Sequence, residues 1–160
     1  MSSFSSHLQR AIAEEEPRLR AISDSSAGAS PQGDAWSRKR ELGHLIDSAT
    51  NNRVRFIKAA LEGQYVGPSY DGVGWVELGG YAAIPWSDLI DLWRVLNQAL
   101  AVVLDRIPPD RLSAQCRIGE APAVTLEFVI DDYILHMQHH LDHILSRERL
   151  TAYPSAKPGA

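Results

Sequence analysis

Apolar positions fall three and four residues apart in four separate stretches of this chain, the interval that places them on one face of an α-helix. The first stretch runs from about Phe4 to Ser25 and carries Leu8, Ile12, Leu19 and Ile22. Pro17, lacking an amide hydrogen, is predicted to kink or break it. After the turn-forming Gly28, Ser30, Pro31 and Gly33 comes a second helix from about Ala35 to Leu61, with Asp34 or Ser37 placed to cap it and Gly63 to stop it. The third is predicted to start near Ser87 as its cap and carries Leu89, Leu92, Val95, Leu96, Ala99, Val102 and Val103, with Pro108 and Pro109 ending it. The fourth opens near Thr125 and reaches about Arg147. No stretch sustains the apolar–polar alternation of a strand, so the expected class is all-α.

The connections between these helices are unequal, and that constrains their arrangement. Residues 63–86, rich in Gly and Tyr, form a connection long enough to cross a bundle end and let the second and third helices run parallel. The expected architecture is therefore a four-helix bundle in up-down-down-up order. A single domain over residues 1–150 fits this length, with residues 151–160 expected as a disordered tail.

Composition removes several function classes. No apolar run approaches the roughly 20 residues that cross a bilayer, so no membrane partner is expected. The charged N-terminal segment lacks the apolar stretch of a secretory signal, and Cys116 alone cannot form an intrachain disulfide; a cytoplasmic setting is expected. A net charge of −4 offers no general attraction to phosphate backbones, which argues against nucleic acid.

The chemistry concentrates in the fourth helix, where HMQHHLDH places four of the six histidines between His136 and His143. At about 100° per residue His136 and His140 share a face one turn apart, beside Val129, Tyr133 and Ile144, and can converge on one ion. His139 and His143 form a second such pair, on a face rotated toward Leu135 and Phe128. Two imidazoles seldom suffice, since open divalent sites generally take three protein ligands. His44 is the best candidate third, on a polar strip with Ser48, Asn51, Asn52 and Arg55. Asp47 and Asp132, each one turn from a histidine, are placed to orient a ligand imidazole, and Glu41 is comparably placed. Cys116 has no activating neighbour in sequence and reads as a buried thiol. The aromatics Tyr65, Tyr70, Trp75, Tyr81 and Trp86 serve equally well as a lid over a site or as anchors for the long connection.

The segments AWSRKRELGHLIDSATNNRVRFIKAAL and TLEFVIDDYILHMQHHLDHIL, with YDGVGWVELGGY between them, resemble the signature segments of the DinB/YfiT-like superfamily. The matching residues are Trp36 and Ser37 at the opening of helix two, then Gly43, His44, Leu45 and Asp47, and the histidines His136 and His140. The resemblance spans about Trp36 to Leu145. It implies an up-down-down-up bundle holding a divalent ion, commonly zinc or nickel, through His44, His136 and His140. The position of His143 is often glutamine in relatives, which leaves that residue as a fourth ligand or a solvated side chain. The resemblance further implies a small-molecule substrate and either of two reactions, thiol S-transfer or isomerisation with a low-molecular-weight thiol, or hydrolysis. Asp47, Ser48, Asn52, Arg55, Asp132, Tyr133 and His143 are the residues expected around the ion and substrate. In the transferase reading, Arg55 or Asn52 is placed to hold a carboxylate or sugar group. Relatives often pair, so a homodimer is expected. A bundle that binds metal without catalysis is the remaining alternative.

Overall fold

The computed structural model describes residues 2–31, 33 and 35–147. Its long helices are α1 (Ser3–Arg20), α3 (Arg38–Glu62), α5 (Trp86–Arg106) and α6 (Leu126–Ile144), with two short helices, α2 (Asp24–Gly28) and α4 (Gly72–Gly79), in the connections. The expected tail, residues 151–160, lies outside the described residues.

End contacts establish the directions. The backbone amide of Ser2, just before α1, donates to Asp105 near the end of α5 at 2.6 Å, and Arg20 at the end of α1 pairs with Asp91 near the start of α5 at 2.6 Å. These two helices are therefore antiparallel. The chain leaving α3 forms β1 (Gln64–Gly67), and the connection leaving α5 forms β2 (Gln115–Ile118); the two strands pair side by side in parallel, Gln64 opposite Gln115. The C-terminal ends of α3 and α5 thus lie together. Strand β3 (Val124–Thr125) pairs antiparallel to β2 and leads directly into α6, which starts at that same end and runs back. The order is up-down-down-up, and it brings the late half of α6 beside the early half of α3.

Local chemistry explains the boundaries. Ser37 caps α3 by accepting from the Arg40 amide at 3.4 Å, and Gly63 closes it at φ +76°, a left-handed conformation that costs glycine little. Asp34, the other expected cap, lies outside the described residues. Thr125 caps α6 through the Phe128 amide at 3.2 Å. The core between the helices is filled by wholly buried Leu8, Leu42, Phe56, Trp93, Leu100, Leu126 and Ile130.

Four features differ from the sequence expectations. Helix α1 runs through Pro17 to Arg20, because Leu19 is fully buried and its carbonyl accepts from Trp86 Nε1 at 2.9 Å, holding the last turn in place. The segment after Arg20 is the separate α2. Helix α5 begins at Trp86 without a side-chain cap of its own, and Ser87 does not cap it. Asp24 of α2 instead accepts from the Trp86 amide at 2.8 Å, while also holding Lys39 at 2.9 Å. Finally, the three-stranded sheet was not predicted: its strands are two to four residues long, too short to show an alternating pattern.

Candidate metal centre

Helix α3 presents His44 from its early turns, and α6 presents His136 and His140 one turn apart, so their antiparallel packing brings the three imidazoles together. One ring nitrogen from each lies within 4.8 Å of the others, and His44 Nε2 is 3.1 Å from His136 Nε2. Two ligand nitrogens on a tetrahedral ion at about 2.0–2.1 Å sit about 3.3 Å from one another. The separation fits an ion held between these rings.

Burial also sets the protonation state of two of the rings. Burial, reinforced by His140 nearby, lowers the His44 pKa to about 4. Burial, with His140, His44 and His139 adding to it, lowers that of His136 to about 2. Both imidazoles are neutral near pH 7 and can each offer a lone pair to a cation. Trp36 shields the trio on one side, its ring 5.3 Å from that of His44.

Glu41, one turn before His44, orients the third imidazole: its Oε1 lies 2.9 Å from His140 Nδ1. That contact leaves His140 Nε2 for an ion. The same carboxylate oxygen lies 3.1 Å from His143 Nδ1, so His143 is held at the edge of the centre by Glu41. A second acid–histidine grouping, Glu41 with His140 and His143, shares His140 with the first, and its members are already matched as hydrogen-bond donors and acceptor. His139 is buried, although the residues expected to share its face, Leu135 and Phe128, are exposed.

Asp47 does not orient a ligand histidine. Its carboxylate accepts from the Tyr81 hydroxyl, and burial raises its pKa above the usual carboxylate range. The contact depends on Gly43, because a Cβ there would sit 2.1 Å from Cδ2 of Tyr81. The absent side chain lets the tyrosine ring lie directly on α3. Glu41, three residues before His44, carries the orienting role sketched for Asp47; Asp47 stands three residues after His44, so spacing alone does not separate the two acids, and the packing of α3 against α6 does.

The polar strip of α3 continues away from His44 as Ser48, Asn52 and Arg55. Asn52 donates to the Ser48 carbonyl at 2.9 Å, and Arg55 lies over the ring of Tyr70 at 5.7 Å. Together with Asp132, Tyr133 and His136 these residues line a cavity of about 440 Å³, walled elsewhere by Ile118, Val124, Phe128 and Val129. The Tyr133 hydroxyl is committed to Asn97, and burial raises its pKa far above the usual range. Tyr70 lines the cavity and meets Trp75 edge-on at 5.4 Å, whereas Tyr65, Tyr81 and Trp86 are buried anchors of the connection. Cys116 is buried in the cavity wall, and burial raises its thiol pKa.

The chain is thus an up-down-down-up helical bundle in which three histidines that could hold a metal ion meet beside a cavity lined by one of them, His136. The chain belongs to the DinB superfamily, whose family model matches residues 7–144. Among solved structures it is similar to YfiT from Bacillus subtilis, described as a probable metal-dependent hydrolase with an unusual four-helix bundle topology. The match has TM-score 0.78 and 21% identity, and covers 91% of this chain and 87% of that one. It is also similar to the mycothiol-dependent maleylpyruvate isomerase, at TM-score 0.67 and 12% identity over 94% of this chain and 65% of that one. A His-to-Ala variant of that isomerase matches at TM-score 0.70 and 13% identity, over 88% of this chain and 62% of that one. No curated protein sequence matches. Among the described residues no helix is long and apolar enough to cross a membrane.

Proposed function

We propose that this protein is a metal-dependent enzyme of the thiol S-transferase or isomerase type, acting on a small electrophile with a low-molecular-weight thiol as cosubstrate. The observation that carries this reading is the position of His136, which belongs both to the three-histidine centre and to the wall of the cavity. His44, His136 and His140 would hold the ion, with zinc or nickel the expected metals. Such an ion, bound by imidazoles, would favour deprotonation of a bound thiol or water. The chain's own residues supply the rest. Glu41 fixes the tautomer of His140, Trp36 limits access of bulk water, and the apolar wall at Val129 and Phe128 accommodates the body of a substrate. The mycothiol-dependent isomerase among the structural neighbours supports a thiol-using chemistry.

Hydrolysis is the second reading, and Asp132 favours it. This half-buried acid lines the cavity one turn before His136 and is the carboxylate there that would serve a water as general base. The description of YfiT points the same way. A screen of activated electrophiles against a panel of small thiols separates the two. Turnover that requires thiol supports transfer; turnover unchanged without thiol establishes hydrolysis.

A further inference from the structure

We infer that the cavity takes a two-ended ligand, one end reaching the histidine centre at His136 and the other, a carboxylate, held by Arg55. This rests on the metal-dependent reading above and adds to it the chemical class of the ligand.

Arg55 lines the same cavity as His136. Its guanidinium is half-buried, its contacts are Asn52 Oδ1 at 3.5 Å and the face of Tyr70, and among the described residues no ion pair engages it. Arg147, also half-buried, sits between two carboxylates, Glu15 at 2.8 Å and Asp142 at 2.6 Å. A partly desolvated cation without an anion is unfavourable, and a ligand carboxylate supplies the missing partner with the fork geometry a guanidinium prefers. Tyr70 lies against the guanidinium at 5.7 Å, and Asn52 takes only one of its N–H groups. Lys58 lines an adjoining hollow that shares Arg55 and Tyr70, so positive charge gathers at this end. The cavity also holds two acids, Glu120, which is exposed, and Asp132, and neither forms an ion pair with Arg55 among the described residues.

The two ends are well separated. His44 and Arg55 are eleven residues apart on one helix, and the Arg55 guanidinium reaches back to Asn52, eight residues or about 12 Å along the axis from His44 at ~1.5 Å per residue. A ligand bridging ion and guanidinium is therefore several bonds long, and the apolar lining of the cavity at Val129, Phe128 and Ile118 suits a hydrocarbon or aromatic middle.

The test uses ω-mercaptoalkanoates of two, six and eleven carbons and the matching mercaptoalkanols, titrated calorimetrically into zinc-loaded full-length protein. The expected result is a length optimum at the intermediate chain, with the carboxylate bound about tenfold or more tighter than its alcohol. In Arg55→Gln that preference disappears, while Arg55→Lys retains part of it; circular dichroism establishes that both variants are folded. A preference that survives in Arg55→Gln, or is missing from the wild type, overturns the inference. Failure of every thiol to bind counts against the thiol-using reading alone. The anchor is then read from hexanoate against hexanol on metal-free protein: an Arg55-dependent preference for hexanoate supports it, and equal binding overturns it.

Discussion

Glu41 and His140 stand on different helices, and the carboxylate Oε1 of one lies 2.9 Å from the imidazole Nδ1 of the other. A hydrogen bond of this kind fixes which nitrogen carries the proton and raises the basicity of the opposite one. Replacing Glu41 with alanine is expected to weaken divalent metal affinity by about 10- to 100-fold, and glutamine, which keeps an acceptor, by less. Competition against a chromogenic chelator measures both. An unchanged affinity in Glu41→Ala would remove the carboxylate from the centre.

The ligand set itself makes a sharper statement. Purified protein is expected to carry stoichiometric divalent metal, His44→Ala and His136→Ala to lose it, and His143→Ala to keep it, because His143 is bound to Glu41 at the margin. Elemental analysis of the four proteins decides. Metal retained at full stoichiometry in His136→Ala would refute the set.

Packing around Tyr81 predicts a stability effect with no metal involved. Gly43→Ala places a methyl group within the van der Waals radius of the Tyr81 ring and is expected to cost about 1–3 kcal/mol, as overpacking of a core does. Tyr81→Phe removes the hydroxyl that Asp47 accepts from and strands a buried carboxylate, at about 1–3 kcal/mol. Because the two changes act on one contact, the double variant should fall short of their sum. Denaturant melts of the three variants check this, and strict additivity would show that Gly43 and Tyr81 act independently.

Cys116 gives a prediction in pH. Burial raises its thiol pKa, so at pH 8 less thiolate is present than for an ordinary cysteine, and the sulfur is covered. Alkylation by iodoacetamide should be slow in the native protein, quicken as pH rises, and reach the rate of a free thiol only in denaturant. Rapid native labelling at neutral pH would show that the cavity wall opens.

The long helices were legible because α3, α5 and α6 bury continuous apolar faces and carry local start signals such as Ser37 and Thr125. What escaped were decisions made by residues distant in sequence. Pro17 signals a break locally, yet burial of Leu19 and the Trp86 hydrogen bond keep the helix going. Ser87 has the chemistry of a cap, yet Asp24 from another helix takes the role. In the centre, His136 and His140 announce themselves by their spacing on one helix. His44 was a candidate third from its place on the polar strip and was singled out by the family resemblance, whereas the choice of Glu41 over Asp47 needed the fold, since the partners of Glu41 lie about a hundred residues away on a different helix.

The pairing of β1 with β2 has a consequence for how this scaffold can be altered. These strands come from two different connections, yet they register residue for residue, Tyr65 against Cys116 and Val66 against Arg117. The segments that follow them, around Tyr70 on one side and Ile118 to Val124 on the other, are walls of the same cavity. Selectivity cannot be rewritten by transplanting either connection alone, because a graft of different length would slip the register and carry the opposite wall with it. The two connections form one interchangeable cassette, and chimeras with relatives will keep their shape when both halves come from the same parent.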